Sequence, residues 1–178
     1  MFRMADTSLD ALRFPVGQFV AVPDSTPAMR TAWIDDISIA PDVIGGLADE
    51  MTPAQLQTPY REGGWTAAQV VHHVADSHMN AYIRTRFALV QDNFTVQPYD
   101  ENRWSQFPDA MDSDVTTSLS ILDGLHARWV TLLRTLSPED FARKLFHPER
   151  GPMTIDTLVQ LYAWHGKHHA GHLRIVRR

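Results

Sequence analysis

Residues 63–89 read GGWTAAQVVHHVADSHMNAYIRTRFAL. Gly63 and Gly64 end whatever element precedes them. Trp65 and Thr66 then supply a hydrophobic staple position and an N-cap, with Gln69 three residues on, which is the capping-box pattern. Val70, Val71, Val74, Ala81 and Tyr82 recur at helical spacing, so the stretch predicts a helix from Thr66 to about Val90. A helix with an apolar stripe needs other elements to bury that stripe, and the flanking sequence supplies more helices.

Downstream, residues 92–112 contain Pro98 and Pro108 among many polar residues. A connection of roughly 20 residues exceeds ordinary loops and implies a task of its own, such as a lid or a dimer contact carrying Tyr99, Asp100 and Trp104. Asp114 to Leu136 predicts a third long helix, with Ser113-Asp114 as cap and Leu122, Leu125, Trp129, Leu132, Leu133 and Leu136 at three- or four-residue spacing. Ser137-Pro138-Glu139-Asp140 caps a short helix around Phe141, Gly151-Pro152 breaks the chain, and Thr154 to Ile175 forms the last helix. Upstream, Met29 to about Met51 is helix-like but interrupted by Pro41 and Gly45-Gly46, so it is one broken helix or two short ones. Residues 1–27 are punctuated by Pro15, Gly17, Pro23 and Pro27 and read as an irregular N-terminal arm. No stretch alternates convincingly with period two. The expectation is a single all-α domain over 1–178. Four main helices, joined antiparallel, form a bundle with an N-terminal arm and a long connection between the second and third.

Composition narrows the function. The 178 residues carry a net charge of −5, no cysteine and nine histidines. Without cysteine there is no disulfide scaffold, thiolate metal site, iron–sulfur cluster or Cys nucleophile. The acidic balance argues against nucleic acid as a partner, which needs a basic face. No apolar run approaches the ~20 residues of a membrane span, and the opening MFRMADTSLD has no signal-peptide core. The expected location is the cytoplasm, away from membranes.

The histidines are clustered: His72, His73 and His78 fall on the second main helix, and His165, His168, His169 and His172 on the last. On the last helix the stripe begun by Leu158, Leu161 and Tyr162 continues as His165, His169 and His172. Residues four apart share a helix face, so His165 and His169 can reach one metal ion, as can His168 and His172. A third imidazole from a neighbouring helix would complete a three-histidine face with an open position, the arrangement of a catalytic site. The plainer alternative is helix C-terminal histidines favoured by the dipole, or satisfied core residues. No H-E-x-x-H is present, so the zinc-peptidase mechanism has no support. His72 and His73 lie ~100° apart around the axis, and periodicity leaves open which faces the centre.

The stretch 63–89, with PYDENRW (98–104), LHARWVTLLRTL (125–136) and YAWHGKHHAGHL (162–173), resembles the YfiT group of the DinB superfamily from about Phe14 to the end. That resemblance implies a four-helix bundle, a divalent metal (zinc or nickel, one per chain) held by three histidines, homodimers, and metal-dependent hydrolase activity. Carried over by motif, the implied metal ligands are His73, His165 and His169, with His172 beside the site. The superfamily also includes thiol S-transferases and thiol-dependent isomerases. A metal site here could therefore activate water for hydrolysis or a low-molecular-weight thiol, such as bacillithiol, for transfer to an electrophile. Lacking cysteine, this chain would take that thiol from outside. A third possibility is a non-catalytic metal-binding stress protein. Gly166-Lys167, a helix-weakening glycine and a cation beside the ligands, departs from the family pattern. Asp76, Asn80 and Arg84 are further candidates on or near the ligand face, Arg84 for an anionic small-molecule substrate. Their alternative is surface ion pairing. His126 could line the pocket, Trp129 continues a leucine stripe and reads as core, and Trp33 and Trp164 read as packing residues. His72, His78, His126 and His168 receive no role in the metal site.

Overall fold

A computed structural model describes residues 7–178. In chain order the elements are α1 (Thr7–Arg13), α2 (Pro27–Asp49), α3 (Pro53–Leu56), α4 (Ala67–Val90), β1 (Phe94–Thr95), α5 (Glu101–Trp104), α6 (Thr116–Leu133), α7 (Pro138–Phe141), β2 (Lys144–His147), β3 (Gly151–Thr154) and α8 (Ile155–Arg177). The long helices α2, α4, α6 and α8 form a four-helix bundle. Around the bundle α8 packs on α2 and α4, and α6 packs on the same two, so α2 lies diagonally from α4 and α6 from α8. Two of the three links therefore cross the bundle instead of joining adjacent helices; one carries α3 and the other α7, β2 and β3.

Local chemistry explains the helix limits. Thr66 Oγ1 accepts the Gln69 N–H at 3.2 Å and Gln69 Oε1 accepts the Thr66 N–H at 2.9 Å, closing the capping box. Ser137 and Asp140 do the same for α7. At the start of α6 the N-cap is Val115, with no side-chain cap of its own, and Asp114 Oδ1 accepts from the Thr116 N–H at 3.0 Å. Residues 27–49 form one helix that runs through Pro41 and the Gly45-Gly46 pair. Gly166 has a packing purpose: a Cβ there would lie 3.2 Å from Ala40 Cβ, so its absence lets α8 approach α2.

The arm is not irregular throughout, because residues 7–13 form α1. Every Pro and Gly of the arm lies after Phe14, so nothing breaks a helical turn before it. The segment after α1 runs along α8. The backbone N–H and C=O of Val22 pair with the Gln160 amide at 2.8 and 3.0 Å, Trp164 Nε1–H donates to Gly17 O at 3.1 Å, and Pro15 crosses Gly171, where a Cβ would clash.

A three-stranded sheet, in the order β1-β2-β3, adds to the helices. β1 pairs parallel with β2, and β2 antiparallel with β3. Strands of two and four residues are too short for a period to declare itself. Gly151, at φ 78°, turns the hairpin, and Pro152 is tolerated because β3 is an edge. Leu145 and His147 point inward while Lys144 and Phe146 face out. The core centres on the fully buried Trp129 at one end of the bundle and on Leu122, Ile44 and Val71 at the other. Among the described residues no helix is long and apolar enough to cross a membrane.

Candidate metal centre

Helices α4 and α8 bring three imidazoles together. His165 and His169, one turn apart on α8, place their Nε2 atoms 3.2 Å apart, and His73 on α4 places its Nε2 3.3 Å from that of His165. The donor atoms of all three lie within 4.8 Å of one another. The ambiguity between neighbours is decided by packing. His72 turns to the start of α6, where its ring nitrogens contact Ser118 Oγ at 2.8 Å and Asp112 O at 3.0 Å, leaving His73 to face α8. Trp65 covers His73 at 4.6 Å between ring centroids.

Behind this group stands a second tier. His165 Nδ1 lies 3.1 Å from His78 Nε2, His78 Nδ1 lies 2.9 Å from His126 Nε2, and His126 Nδ1 lies 2.7 Å from Ile37 O in α2. On the other side, His169 Nδ1 lies 3.3 Å from His172 Nδ1, and His172 Nε2 lies 3.2 Å from Arg13 O at the end of α1. His168, His169 and His172 form another close cluster, with His168 stacked on Trp164 under the arm. Burial holds these rings in the neutral form. It pushes His73 down to about 3, helped by His168 and His172, and it puts His165, His169 and His78 well below the usual histidine range. His168 and His172 are each lowered to about 4, again chiefly by burial.

The group opens onto a cavity of about 450 Å³. Ser77, Tyr162, His147 and the inner face of the sheet form its walls, and Arg13, Arg61, Arg84 and Arg150 outnumber Glu101 and Glu149 around it. A cationic cavity in an acidic chain is a property of the fold that composition conceals. Arg84 is 8% exposed, its Nη2–H reaches Gln97 O at 3.4 Å, and its guanidinium lies 6.0 Å from the Tyr99 ring. Among the described residues no carboxylate pairs with it.

Asp76 and Asn80 are not among the residues lining the cavity. Asp76 sits one turn from His72 on its side of α4, where burial and the nearby Asp109 raise its carboxyl above the usual range. The Asn80 amide donates back to Asp76 O of its own helix at 2.9 Å. His126 is buried between helices instead of lining the cavity, and Trp129 is core. Tyr99, tilted against Trp104 at 4.4 Å between ring centroids, shows what the long connection does: it closes one side of the cavity. Ser77, Tyr162 and His147 escaped sequence reasoning. Ser77, one turn beyond His73, and Tyr162, one turn before His165 on the same stripe, carried a local signal, and His147 carried none.

Comparison with known proteins agrees with this architecture. The DinB superfamily model matches residues 37–173. A Bacillus mycoides (strain KBAB4) protein named "Putative metal-dependent hydrolase" is 45% identical over 166 residues, covering 93% of this chain and 95% of its own. A Bacillus cereus (strain B4264) protein of the same description is 44% identical over 170 residues, covering 96% and 98%. The solved structure of YfiT from Bacillus subtilis, described as a probable metal-dependent hydrolase with an unusual four-helix bundle topology, superposes with a TM-score of 0.91. It is 39% identical and covers 93% of this chain and 95% of its own. With three-quarters of its length matched and the bundle reproduced, this chain belongs to the DinB superfamily.

Proposed function

We propose that this protein is a metal-dependent hydrolase in which His73, His165 and His169 hold one divalent ion, zinc or nickel, through their Nε2 atoms. The observation that carries the reading is the spacing of those atoms, 3.2 and 3.3 Å. Two nitrogens bound tetrahedrally at about 2.0–2.1 Å from one ion stand roughly 3.3–3.4 Å apart. Hydrogen bonding fits the contacts poorly, because His165 Nε2 faces two other ring nitrogens and has only one proton or one lone pair to offer. Three neutral imidazoles leave a divalent ion its full charge. Such an ion supplies Lewis acidity and a lowered pKa for bound water. The relatives named as metal-dependent hydrolases support this class of reaction.

The chain's own residues do the rest. Arg84 lies eleven residues beyond His73 on the same face of α4, about 16 Å along the axis. It binds an anionic group of a small-molecule substrate whose other end reaches the three histidines. Ser77 and Tyr162, joined by a hydrogen bond of 3.2 Å, line the path between. Tyr99 and the sheet limit water access from the side.

The arginine-lined cavity also favours a second reading. The carboxylates of a low-molecular-weight thiol would suit Arg84 and Arg150, making the protein a thiol S-transferase with that thiol as co-substrate. One assay separates the two. The zinc- and nickel-loaded protein is given carboxylate-bearing esters and amides without thiol, then bacillithiol with an electrophile. Thiol-free hydrolysis establishes the first reading, and conjugation that requires thiol establishes the second. Absence of both, with metal bound, leaves a metal-binding protein without this chemistry.

A further inference from the structure

Both sets of ring contacts behind the proposed ligands end on a helix carbonyl that lacks its own helical donor. Ile37 O in α2 would ordinarily accept the N–H of residue 41, but residue 41 is proline and has none. His126 Nδ1 fills that vacancy at 2.7 Å. Arg13 closes α1, where the last carbonyls have no helical partner, and His172 Nε2 approaches its oxygen at 3.2 Å.

A carbonyl oxygen only accepts, so each contact dictates the next. His126 donates Nδ1–H to Ile37 O, which leaves its Nε2 as an acceptor. His78 must then donate Nδ1–H to His126, and its own Nε2 accepts from His165 Nδ1–H. By the same logic His172 donates Nε2–H to Arg13 O, and its Nδ1 accepts from His169 Nδ1–H. At the end of each relay the Nε2 lone pair of His165 or His169 is turned toward His73.

We propose that Pro41, His126 and His78 on one side, and His172 on the other, are positioning residues that fix the tautomers of His165 and His169 through carbonyl-anchored imidazole relays. This rests on the metal reading given above. It accounts for histidines that the triad leaves over, and it makes the interruption of α2 by Pro41 part of the site. It also makes His172 a support for His169, so the cluster of His168, His169 and His172 does not form a second independent metal site. A ligating histidine usually gives its remaining N–H to a carboxylate, a carbonyl or water. Here the carbonyl is reached through intervening rings.

The test is a long-range proton–nitrogen correlation spectrum of the ¹⁵N-labelled full chain, metal-free at neutral pH. Zinc and nickel affinity is measured in parallel by competition with a chromophoric chelator. His126, His78, His165 and His169 are expected as Nδ1–H tautomers and His172 as Nε2–H. His165 or His169 protonated at Nε2 overturns the proposal. Folded His126→Phe is expected to bind zinc about 10–100-fold more weakly, and unchanged affinity overturns the relay's role. Should that variant fail to fold, the wild-type spectrum decides. Pro41→Ala returns a helical donor to Ile37 O without touching a histidine. It is expected to speed solvent exchange of the His126 Nδ1 proton, and unchanged exchange overturns the link to Pro41. Two ions bound per chain overturns the His172 branch. A wild-type chain that shows the tautomers but binds neither metal keeps the relays and removes the metal reading. A chain that binds metal with the other tautomers does the reverse.

Discussion

Nε2 of His73 on α4 lies 3.3 Å from Nε2 of His165 on α8, across 92 residues of sequence. The two helices share the core around Trp129 and Tyr162 and, at this end, a second apolar cluster that joins Val70, Val71 and Val74 to Ala170 and Leu173, with the imidazoles packed between them. A ligand that holds the three rings therefore also clamps α4 to α8.

Metal removal should destabilise the fold. At a free ion concentration a thousandfold above Kd, binding adds about 4 kcal/mol, which for a chain of this length raises Tm by roughly 8–16 °C. Thermal melts with and without chelator measure this. His73→Ala, His165→Ala and His169→Ala should each lose the bound ion by elemental analysis and lose the difference between the two melts. Retention of the ion in all three variants contradicts the assignment.

Arg84 should govern affinity for anionic substrates. Loss of a charge-assisted hydrogen bond costs about 1.5–3 kcal/mol, so Arg84→Gln should raise KM for a carboxylate-bearing ester roughly 10- to 100-fold. KM for its neutral analogue and the metal content should stay near wild type. Equal losses for both esters would show that Arg84 supports the fold and does not bind the substrate.

The metal-free protein should be acid-sensitive. Eight of the nine histidines are lowered in the folded chain, in each case with burial as the leading cause. An unfolded histidine takes up its proton near pH 6.5, whereas His73 waits until about 3 and His168 and His172 until about 4. Below about pH 6.5 the unfolded chain binds more protons than the folded one, so stability falls as pH falls and is fully present above that value. Urea midpoints should drop steadily from about pH 7 to about pH 5. A midpoint that rises on acidification contradicts the buried, neutral imidazoles.

Asp156 should anchor the arm. Its carboxylate accepts from Ser25 Oγ–H and Arg30 Nε–H, both at 2.6 Å, and from Gln160 Nε2–H at 2.7 Å. Asp156→Ala strands the half-buried Arg30 and should cost on the order of 3 kcal/mol. Limited proteolysis should then cut within residues 14–26 faster than in wild type. Proteolysis at the wild-type rate would mean that the Gln160–Val22 pairing holds the arm without it.

Close approach at Gly166 should not tolerate bulk. Gly166→Val drives a side chain into Ala40 and should cost about 1–3 kcal/mol by denaturant unfolding, as overpacking does. A variant as stable as wild type would show that α2 can move away at no cost.

Much of this protein was legible in its residues because helical geometry is local. Capping boxes at Thr66 and Ser137, the leucine stripe of α6 and the i, i+4 pair His165/His169 depend on neighbours within a turn or two. The sequence by itself therefore determined the main helices and the presence of a histidine cluster, and the family motif selected which histidines to test. Decisions made between distant segments were not readable in this way. Ser118 and Asp112 O draw His72 aside, and with it Asp76. The diagonal placement of α2 and α4, the sheet that closes the cavity, and the gathering of Arg13, Arg84 and Arg150 arise from long-range packing that leaves no periodic trace. Pro41 shows the boundary best. In sequence it is a helix interruption, and only the tertiary structure decides that the carbonyl it leaves free is met by His126, 89 residues away. The cause is that a buried carbonyl must find a donor, and the fold alone determines which donor is near.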